Sequence, residues 1–247
     1  MPIFKKPNGF TVKPKREKEF PRKRNTGRKV YKGPTQINGH KFVAMGDGLK
    51  WATCNIGASK PEEHGDFFIW GETEPCYSSF DPLIWKEDQM YAYETSKYFT
   101  HESPINAIKY NGPDGKTVLE PSDDAATSNW GDTWRMPTAK EFEKLLDENL
   151  FTWEKTTVNG VEGFTVTSKV KGYEGKSIFF PFTKHFKARS LTSIFPTSAY
   201  WTSEVVSPSD ADDVKCEYAH ILDLDWGANK VGFHARCWGF PIRPVSL

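Results

Sequence analysis

Long apolar runs are missing from this sequence of 247 residues. No stretch approaches the roughly 20 consecutive apolar residues that a membrane-spanning helix needs. The first seven residues, Met1 to Pro7, also lack the apolar segment of about seven residues or more that a secretory signal contains, and proline interrupts them. We therefore expect a chain that is made and kept in the cytoplasm, without membrane insertion.

Cysteine is scarce as well. The four cysteines, Cys54, Cys76, Cys216 and Cys237, form no Cys-x-x-Cys pair. In a reducing cytoplasm thiols are the expected state, and Cys54, which follows Trp-Ala-Thr, is expected to be a small buried hydrophobic residue. The sequence leaves open whether Cys216 and Cys237 pair.

One set of residues has the composition of a zinc site. Cys216, His220, His234 and Cys237 would supply two thiolates and two imidazoles. Four residues along a strand, at ~3.3 Å each, place Cys216 and His220 about 13 Å apart. His234 and Cys237, three residues apart, would face opposite sides of a regular strand. We therefore predict no metal site and no cofactor.

Charge is distributed unevenly along the chain. Residues 1–33 contain twelve basic and two acidic residues, a charge of +10, whereas the whole chain carries +1, so the remainder carries −9. With repeated Pro and Gly and no apolar periodicity, residues 1–36 are predicted to form an extended basic arm that orders on a partner. The predicted docking residues are Lys13, Lys15, Arg16, Arg22, Lys23, Arg24, Arg28 and Lys29.

Two kinds of partner fit such an arm. Basic clusters can neutralise phosphates and bind nucleic acid. No nucleic-acid-binding motif accompanies the arm, however, and the rest of the chain is acidic. We therefore favour docking onto an acidic protein surface over nucleic acid.

The whole chain is 15% aromatic and contains 19 Gly and 17 Pro, most of them within residues 37–247. This content of Gly and Pro indicates numerous turns. Residues 137–146 predict the one clear helix, since Thr138 and Glu141 have the spacing of a capping box. Strands are predicted at 40–45, 50–56, 67–72, 151–166 (a hairpin turning at Asn159-Gly160), 177–182, 200–203, 219–225 and 231–245, with an irregular insertion at 75–118. The pattern predicts an α+β fold of loop-rich antiparallel sheets with few helices.

Three segments carry a resemblance to a known family. They are Leu49-Lys-Trp-Ala-Thr-Cys-Asn-Ile-Gly57, Asn129-Trp-Gly-Asp-Thr-Trp-Arg-Met-Pro-Thr138 and Cys237-Trp-Gly-Phe-Pro-Ile-Arg-Pro-Val245. Together they resemble the C-type-lectin-like domains of gut Bacteroidetes and phages, which are related to the variable proteins of diversity-generating retroelements. The resemblance implies a C-type-lectin-like binding domain over 37–247, in which aromatic residues such as Trp51, Trp134 and Trp201 fill the core.

The resemblance also implies a binding surface. In the variable proteins, the segment equivalent to Cys216–Trp238 displays changeable residues ahead of a fixed closing motif, which Gly239–Val245 matches apart from Pro241 and Ile242. The displayed positions correspond to Asp223, Asp225, Trp226, Lys230, Phe233, His234, Ala235 and Trp238. Aromatic and charged side chains on a rigid scaffold suit glycan or protein recognition.

Two other activities of related folds are disfavoured. Sugar-binding C-type lectins hold calcium with amide and carboxylate triplets, and the nearest imitations here begin at Glu74, Glu120 and Trp226 but lack the amide. The formylglycine-generating enzymes share a segment similar to Arg135–Phe142 and bind copper through paired late cysteines. Cys216 does not lie in the expected neighbouring motif of Cys237, so we expect no enzyme.

The resulting functional hypothesis is a structural or adhesion protein of a phage particle, such as a head decoration, fibre or tail adhesin. The arm would dock on other virion proteins after assembly in the host cytoplasm, and the carboxy-terminal face would bind host-surface glycan or protein. A homo-oligomer, with a trimer favoured, is expected because phage fibres and adhesins are commonly trimeric. The alternative is a cellular binding protein of a gut bacterium, in the cytoplasm or at the cell surface.

Overall fold

A computed structural model describes residues 35–78, 97–100, 103–183, 198–206, 218–224 and 229–247. The chain divides into two units, Met1–Gly33 and Pro34–Leu247. All described residues belong to the second unit, and the docking residues predicted for the basic arm lie outside them. No helix in these ranges is both long and apolar enough to span a membrane.

Antiparallel strands dominate the described residues. In chain order the strands are β1 (Gln36–Ile37), β2 (His40–Ala44), β3 (Lys50–Ala52), β4 (Asp66–Ile69), β5 (Tyr77–Ser78), β6 (Phe99–Thr100), β7 (Ser103–Ala107), β8 (Phe151–Val158), β9 (Val161–Ser168), β10 (Ser177–Pro181), β11 (Ser198–Val205), β12 (Tyr218–Leu224), β13 (Lys230–Ala235), β14 (Gly239–Phe240) and β15 (Val245–Ser246). They pair in the orders β1-β2-β3-β15, β10-β9-β8, β11-β12-β13, β14-β4-β5 and β6-β7. The prediction of antiparallel sheets with few helices is confirmed.

The described residues contain two short helices, α1 (Ala125–Trp130) and α2 (Ala139–Leu145). Helix α2 confirms its prediction, since the Glu141 N–H donates to the Thr138 hydroxyl and the Thr138 N–H donates to the Glu141 carboxylate. Helix α1 was not predicted individually, although the prediction of few helices includes it. Helix α1 has only six residues, which are too few to show an apolar period. It begins at Ala125 because the Asp124 carboxylate accepts hydrogen bonds from the N–H groups of Ala126 and Thr127.

The hairpin predicted over 151–166 is present as β8 and β9 and extends to Ser168. Asn159 and Gly160 both adopt positive φ, +48° and +86°, as a type I′ turn requires. The register places Trp153 opposite Val166, so that the face of the hairpin bearing both packs toward the core. This local signal was therefore sufficient for the turn and its register.

The strand predicted over 231–245 is wrong. It is divided into β13, β14 and β15, because the Trp238 N–H donates to the carbonyl of Ala235 and closes a turn there. Pro241 and Pro244 lack an N–H, which prevents a continuous ladder between β14 and β15. The strand predicted over 50–56 is likewise shortened, since the chain turns at Asn55, whose carbonyl accepts the N–H of Ala58.

Two apolar clusters lie on opposite faces of the sheet β11-β12-β13. Trp201 and Ile221 belong to the first cluster, and their chain neighbours Tyr200 and Leu222 belong to the second. This alternation follows from the two-residue period of a strand and shows that both faces are covered along β11 and β12. The predicted core roles of Trp51, Trp134 and Trp201 are confirmed, because all three are fully buried. Cys54 is only partly buried, unlike its prediction.

Candidate ligand-binding surface

The hairpin of β12 and β13 carries most of the predicted display positions that the structure describes. Its register pairs Asp223 with Lys230, and Ala219 with His234. Paired residues of antiparallel strands share a face, so Asp223, Lys230 and His234 lie on the face that buries Ala219. Phe233 alternates to the other face.

The predicted positions therefore do not form one surface. Ala235 shares the face of Phe233, opposite to that of Lys230 and His234. Trp238 follows β13 in a turn and packs against the first core cluster. Asp225 and Trp226 lie outside the described residues.

His234 and Trp238 contribute to packing more than to display. Their ring centroids are 4.4 Å apart, and the His234 ring also lies 5.2 Å from the ring of Phe240, which is buried. Trp238 stacks on Phe240 at 6.4 Å. The three rings connect the end of β13 to β14 and fix the position of the hairpin.

Among the described residues of the hairpin, Phe233 has the most exposed aromatic side chain, with 61% of its surface accessible. The ring of Tyr218 meets it edge to face at a centroid distance of 5.5 Å. Strand β13 stands at the end of the order β11-β12-β13. Phe233 therefore projects from a strand whose backbone is held on one side by six register pairs with β12.

A pocket of about 240 Å³ lies on the same face as Phe233, between the start of α2 and the sheet. His220, the cross-strand partner of Phe233, lines it together with Val231. Glu143 and Glu204 add two carboxylates, and the Glu204 carboxylate also accepts the Ala139 N–H at 2.6 Å. The pocket thus combines an apolar floor with acceptors, beside the exposed ring of Phe233 and the partly buried ring of Tyr218.

Sequence patterns missed this pocket. Glu143 belongs to the predicted helix but not to its capping box, and Glu204 follows the strand predicted over 200–203 without a recognisable motif. They line the same pocket because α2 packs across β11, β12 and β13, a relationship between residues about 60 positions apart. A local signal for such a pairing does not exist in one sequence.

A second pocket, of about 340 Å³, lies beside β2 and the end of α1. The His40 ring stacks on the Trp130 indole, with 3.7 Å between centroids and planes 8° apart. Burial lowers the pKa of His40, which favours the neutral imidazole. Lys41, Cys54 and Ser59 also line this pocket, which therefore has a flat aromatic wall and a polar rim.

A network of charged groups connects Lys97 and Lys109 to Asp123. The Asp123 carboxylate accepts hydrogen bonds from Lys97 at 3.0 Å and from Lys109 and the Tyr110 hydroxyl at 2.5 Å each. Partial burial raises the pKa of Asp123, but hydrogen bonds from Lys109, the tyrosines and Lys97 outweigh it and hold that pKa below its ordinary value. Burial raises the pKa of Tyr110 to about 12. Asp123 is therefore a charged structural centre.

Two arginines are fully buried, Arg236 directly after β13 and Arg243 in the closing motif. The Arg236 guanidinium lies 4.4 Å from the ring centroid of Trp70 and donates to the carbonyl of Tyr110. Arg243 donates to Asn55 and to the carbonyl of Phe179, and burial lowers its pKa. The closing motif that resembles the family therefore works as internal scaffold.

Metal ligation has little geometric support among the described residues. Side chains alternate along β12 and β13, so His220 and His234 lie on opposite faces, and Cys216 lies outside the description. The Glu120 carboxylate is engaged by Lys109 and Lys116, both at 2.6 Å. Burial raises the pKa of Cys76 to about 12. Within these ranges, no three His, Cys, Asp or Glu side chains are grouped to hold a metal ion.

The comparisons with known proteins add no family assignment. No family model matches the sequence, and neither a curated protein nor a solved structure matches it.

Proposed function

We propose that this chain is a non-enzymatic binding protein of C-type-lectin-like architecture and a component of a phage particle. Its basic arm docks on other virion proteins, and the sheet of β11, β12 and β13 presents a surface for host glycan or protein. The observation that carries the binding role is the exposure of Phe233 on a strand whose neighbouring elements are firmly packed.

An exposed aromatic residue suits recognition because ordering it at an interface costs little free energy. Aromatic side chains supply a large contact area with few rotatable bonds, so little conformational entropy is lost when they are covered. Phe233 is additionally positioned by Tyr218, whose ring edge meets it. A partner that covers Phe233 therefore gains apolar burial without first ordering the strand.

The buried closing motif supports the same role. Arg243 and its acceptors lie in the interior, and Phe240 connects β14 to the rings of His234 and Trp238. This scaffold uses residues other than those exposed on the hairpin. Exposed residues such as Lys230 and Phe233 can then differ in identity without loss of the fold, which is what a recognition surface needs.

Charge supports the docking role of residues 1–36. A segment of +10 attached to a body of −9 is attracted to acidic partner surfaces over distances set by the Debye length, about 8 Å at physiological salt. The predicted docking residues lie in this segment. Protein docking remains favoured over nucleic acid, because no nucleic-acid-binding motif accompanies the arm and the body is acidic.

The test is co-sedimentation with purified phage particles. We expect the full chain to be incorporated and a chain lacking residues 1–36 to remain in the supernatant. Phe233→Ala should be incorporated normally but should reduce binding to host cells at least tenfold, whereas Tyr173→Ala, an aromatic residue with 40% exposure outside the hairpin, should leave binding unchanged. Absence of both chains from the particles would overturn the virion role.

A further inference from the structure

The pocket beside Phe233 has the dimensions of a site for one side chain. Its volume of about 240 Å³ is below the roughly 300–1,000 Å³ of pockets that enclose drug-sized ligands. It opens between the exposed side of α2, where Lys140 and Glu143 stand, and the sheet, where Val231 supplies apolar contact. A single extended group fits such a space better than a whole small molecule.

The acceptors in this pocket favour a donor-rich ligand. The Glu204 carboxylate caps the Ala139 N–H, but a carboxylate offers about four lone-pair sites, so it can accept from a further donor. Glu143 stands one helical turn after Ala139 on the same side of α2, so the two carboxylates border one space. Charge-assisted hydrogen bonds to carboxylates are roughly twice as strong as neutral ones.

The neighbouring rings favour a cation in particular. Phe233 and Tyr218 stand beside the pocket on the same face, because Phe233 is the cross-strand partner of His220. Aromatic faces attract ammonium and guanidinium groups within about 6 Å of the ring centroid. Apolar contact with Val231 also suits the methylene stem of a long basic side chain.

Charge complementarity points in the same direction. The chain outside residues 1–33 carries −9, and its field attracts basic partners and repels acidic ones. Lys140 also lines this pocket, and its side chain is exposed. Its positive charge would repel a basic ligand, so its removal should strengthen the binding of such a ligand.

We propose that this pocket binds a lysine or arginine side chain of a protein partner, with the ring of Phe233 covering the residue next to it. The inference rests on the proposed binding role and names the chemistry of the partner, which is a basic protein surface rather than a glycan. A single side chain is held weakly, and affinity arises when the remaining interface adds to it.

The test uses the full-length protein and a small probe. We would titrate ¹⁵N-labelled protein with Nα-acetyl-lysine amide and, as the neutral match, Nα-acetyl-norleucine amide. We expect the amide signals of Ala139, His220 and Val231 to shift. The lysine probe should bind with a Kd on the order of 1 mM, and the norleucine probe should bind at least tenfold more weakly. Glu143→Gln should weaken the lysine probe several-fold, and Glu204→Gln, which keeps an acceptor for the Ala139 N–H, should do the same.

The controls separate charge at the pocket from charge in general. Glu154→Gln removes the same charge from the exposed side of β8 and should change nothing. Lys140→Ala should strengthen binding of the lysine probe several-fold, because it removes a like charge from the lining of the pocket. If Glu204→Gln loses its dispersed amide spectrum, Glu143→Gln carries the test, since Glu143 lies on the exposed side of the helix.

Three outcomes would overturn the inference. The first is equal binding of the lysine and norleucine probes, and the second is weaker binding of the lysine probe by Lys140→Ala. The third is a shift of the pocket amides with methyl glycosides but not with the lysine probe, which would make the pocket a sugar site. Particle co-sedimentation does not enter this titration. Failure of the pocket and failure of the virion role are therefore separate results.

Discussion

Arg243 Nε donates to the side-chain oxygen of Asn55 at 2.8 Å, in the fully buried interior. Its other donors reach backbone carbonyls, including that of Phe179 at 3.0 Å, and its guanidinium lies over the ring of Phe180 at 4.7 Å. The acceptors given by the structure are neutral oxygens. Arg243, in the closing motif, therefore links the turn at Asn55 to strand β10.

Arg243→Met is expected to destabilise the fold by about 3 kcal/mol or more. Methionine approximates the apolar volume but leaves the Asn55 and Phe179 oxygens buried without their donors, at about 1–3 kcal/mol each. Urea unfolding followed by tryptophan fluorescence measures this change. Lys230→Met, an exposed position, is the matched control and should stay within about 0.5 kcal/mol. Unchanged stability of Arg243→Met would show that the guanidinium is dispensable.

Asp123→Asn should lower stability most at neutral pH. The pKa of Asp123 is depressed in the folded protein, so the carboxylate contributes stability above its unfolded pKa, near 4, and this contribution is lost as pH falls toward the folded value. At pH 7 we expect a loss of about 1.5–3 kcal/mol, since hydrogen bonds from charged donors are removed. The measurement is the free energy of unfolding of both proteins between pH 7 and pH 3.

The difference between the two proteins is the informative quantity in that experiment. Burial raises the pKa of the neighbouring Asp124, which contributes with the opposite sign and relieves a cost as pH falls. Asp124 is present in both proteins and cancels in the comparison. A gap between wild type and Asp123→Asn that stays constant from pH 7 to pH 3 would contradict a depressed Asp123 pKa.

Thr138→Ala should cost about 1 kcal/mol, within the 0.5–2 kcal/mol range for N-cap residues. It removes the hydroxyl that accepts the Glu141 N–H at 3.2 Å. Thr138→Ser keeps that acceptor and serves as the control, to be compared by thermal and urea unfolding. Equal stability of the two variants would mean that the capping box contributes nothing measurable to α2.

Helix α2 and the hairpin of β8 and β9 were predictable because their signals are local. The spacing of Thr138 and Glu141 specifies a helix start within four residues, and Asn159-Gly160 specifies a turn in two. The buried tryptophans were predicted from the family resemblance. These features need no knowledge of distant chain segments.

The candidate site was predicted only in part, for a physical reason. The sequence indicated that Lys230 and Phe233 are surface residues, and their spacing of three places them on opposite faces of a regular strand. Which of these faces lies beside α2 depends on how β13 pairs with β12 and on how the helix packs across the sheet. The pocket of Glu143 and Glu204 depends on helix packing across the sheet, which no single-sequence period encodes.

Two glycines of one hairpin should respond to alanine for different reasons. Gly160 has φ of +86° with open space around a hypothetical Cβ, so Gly160→Ala costs backbone strain alone, about 1–2 kcal/mol. A Cβ at Gly163 would lie 2.2 Å from the Phe180 carbonyl oxygen and 2.6 Å from the Phe179 ring, which forces β9 away from β10. Gly163→Ala should therefore be the more destabilising variant in urea unfolding, and the reverse order would show that β10 yields easily.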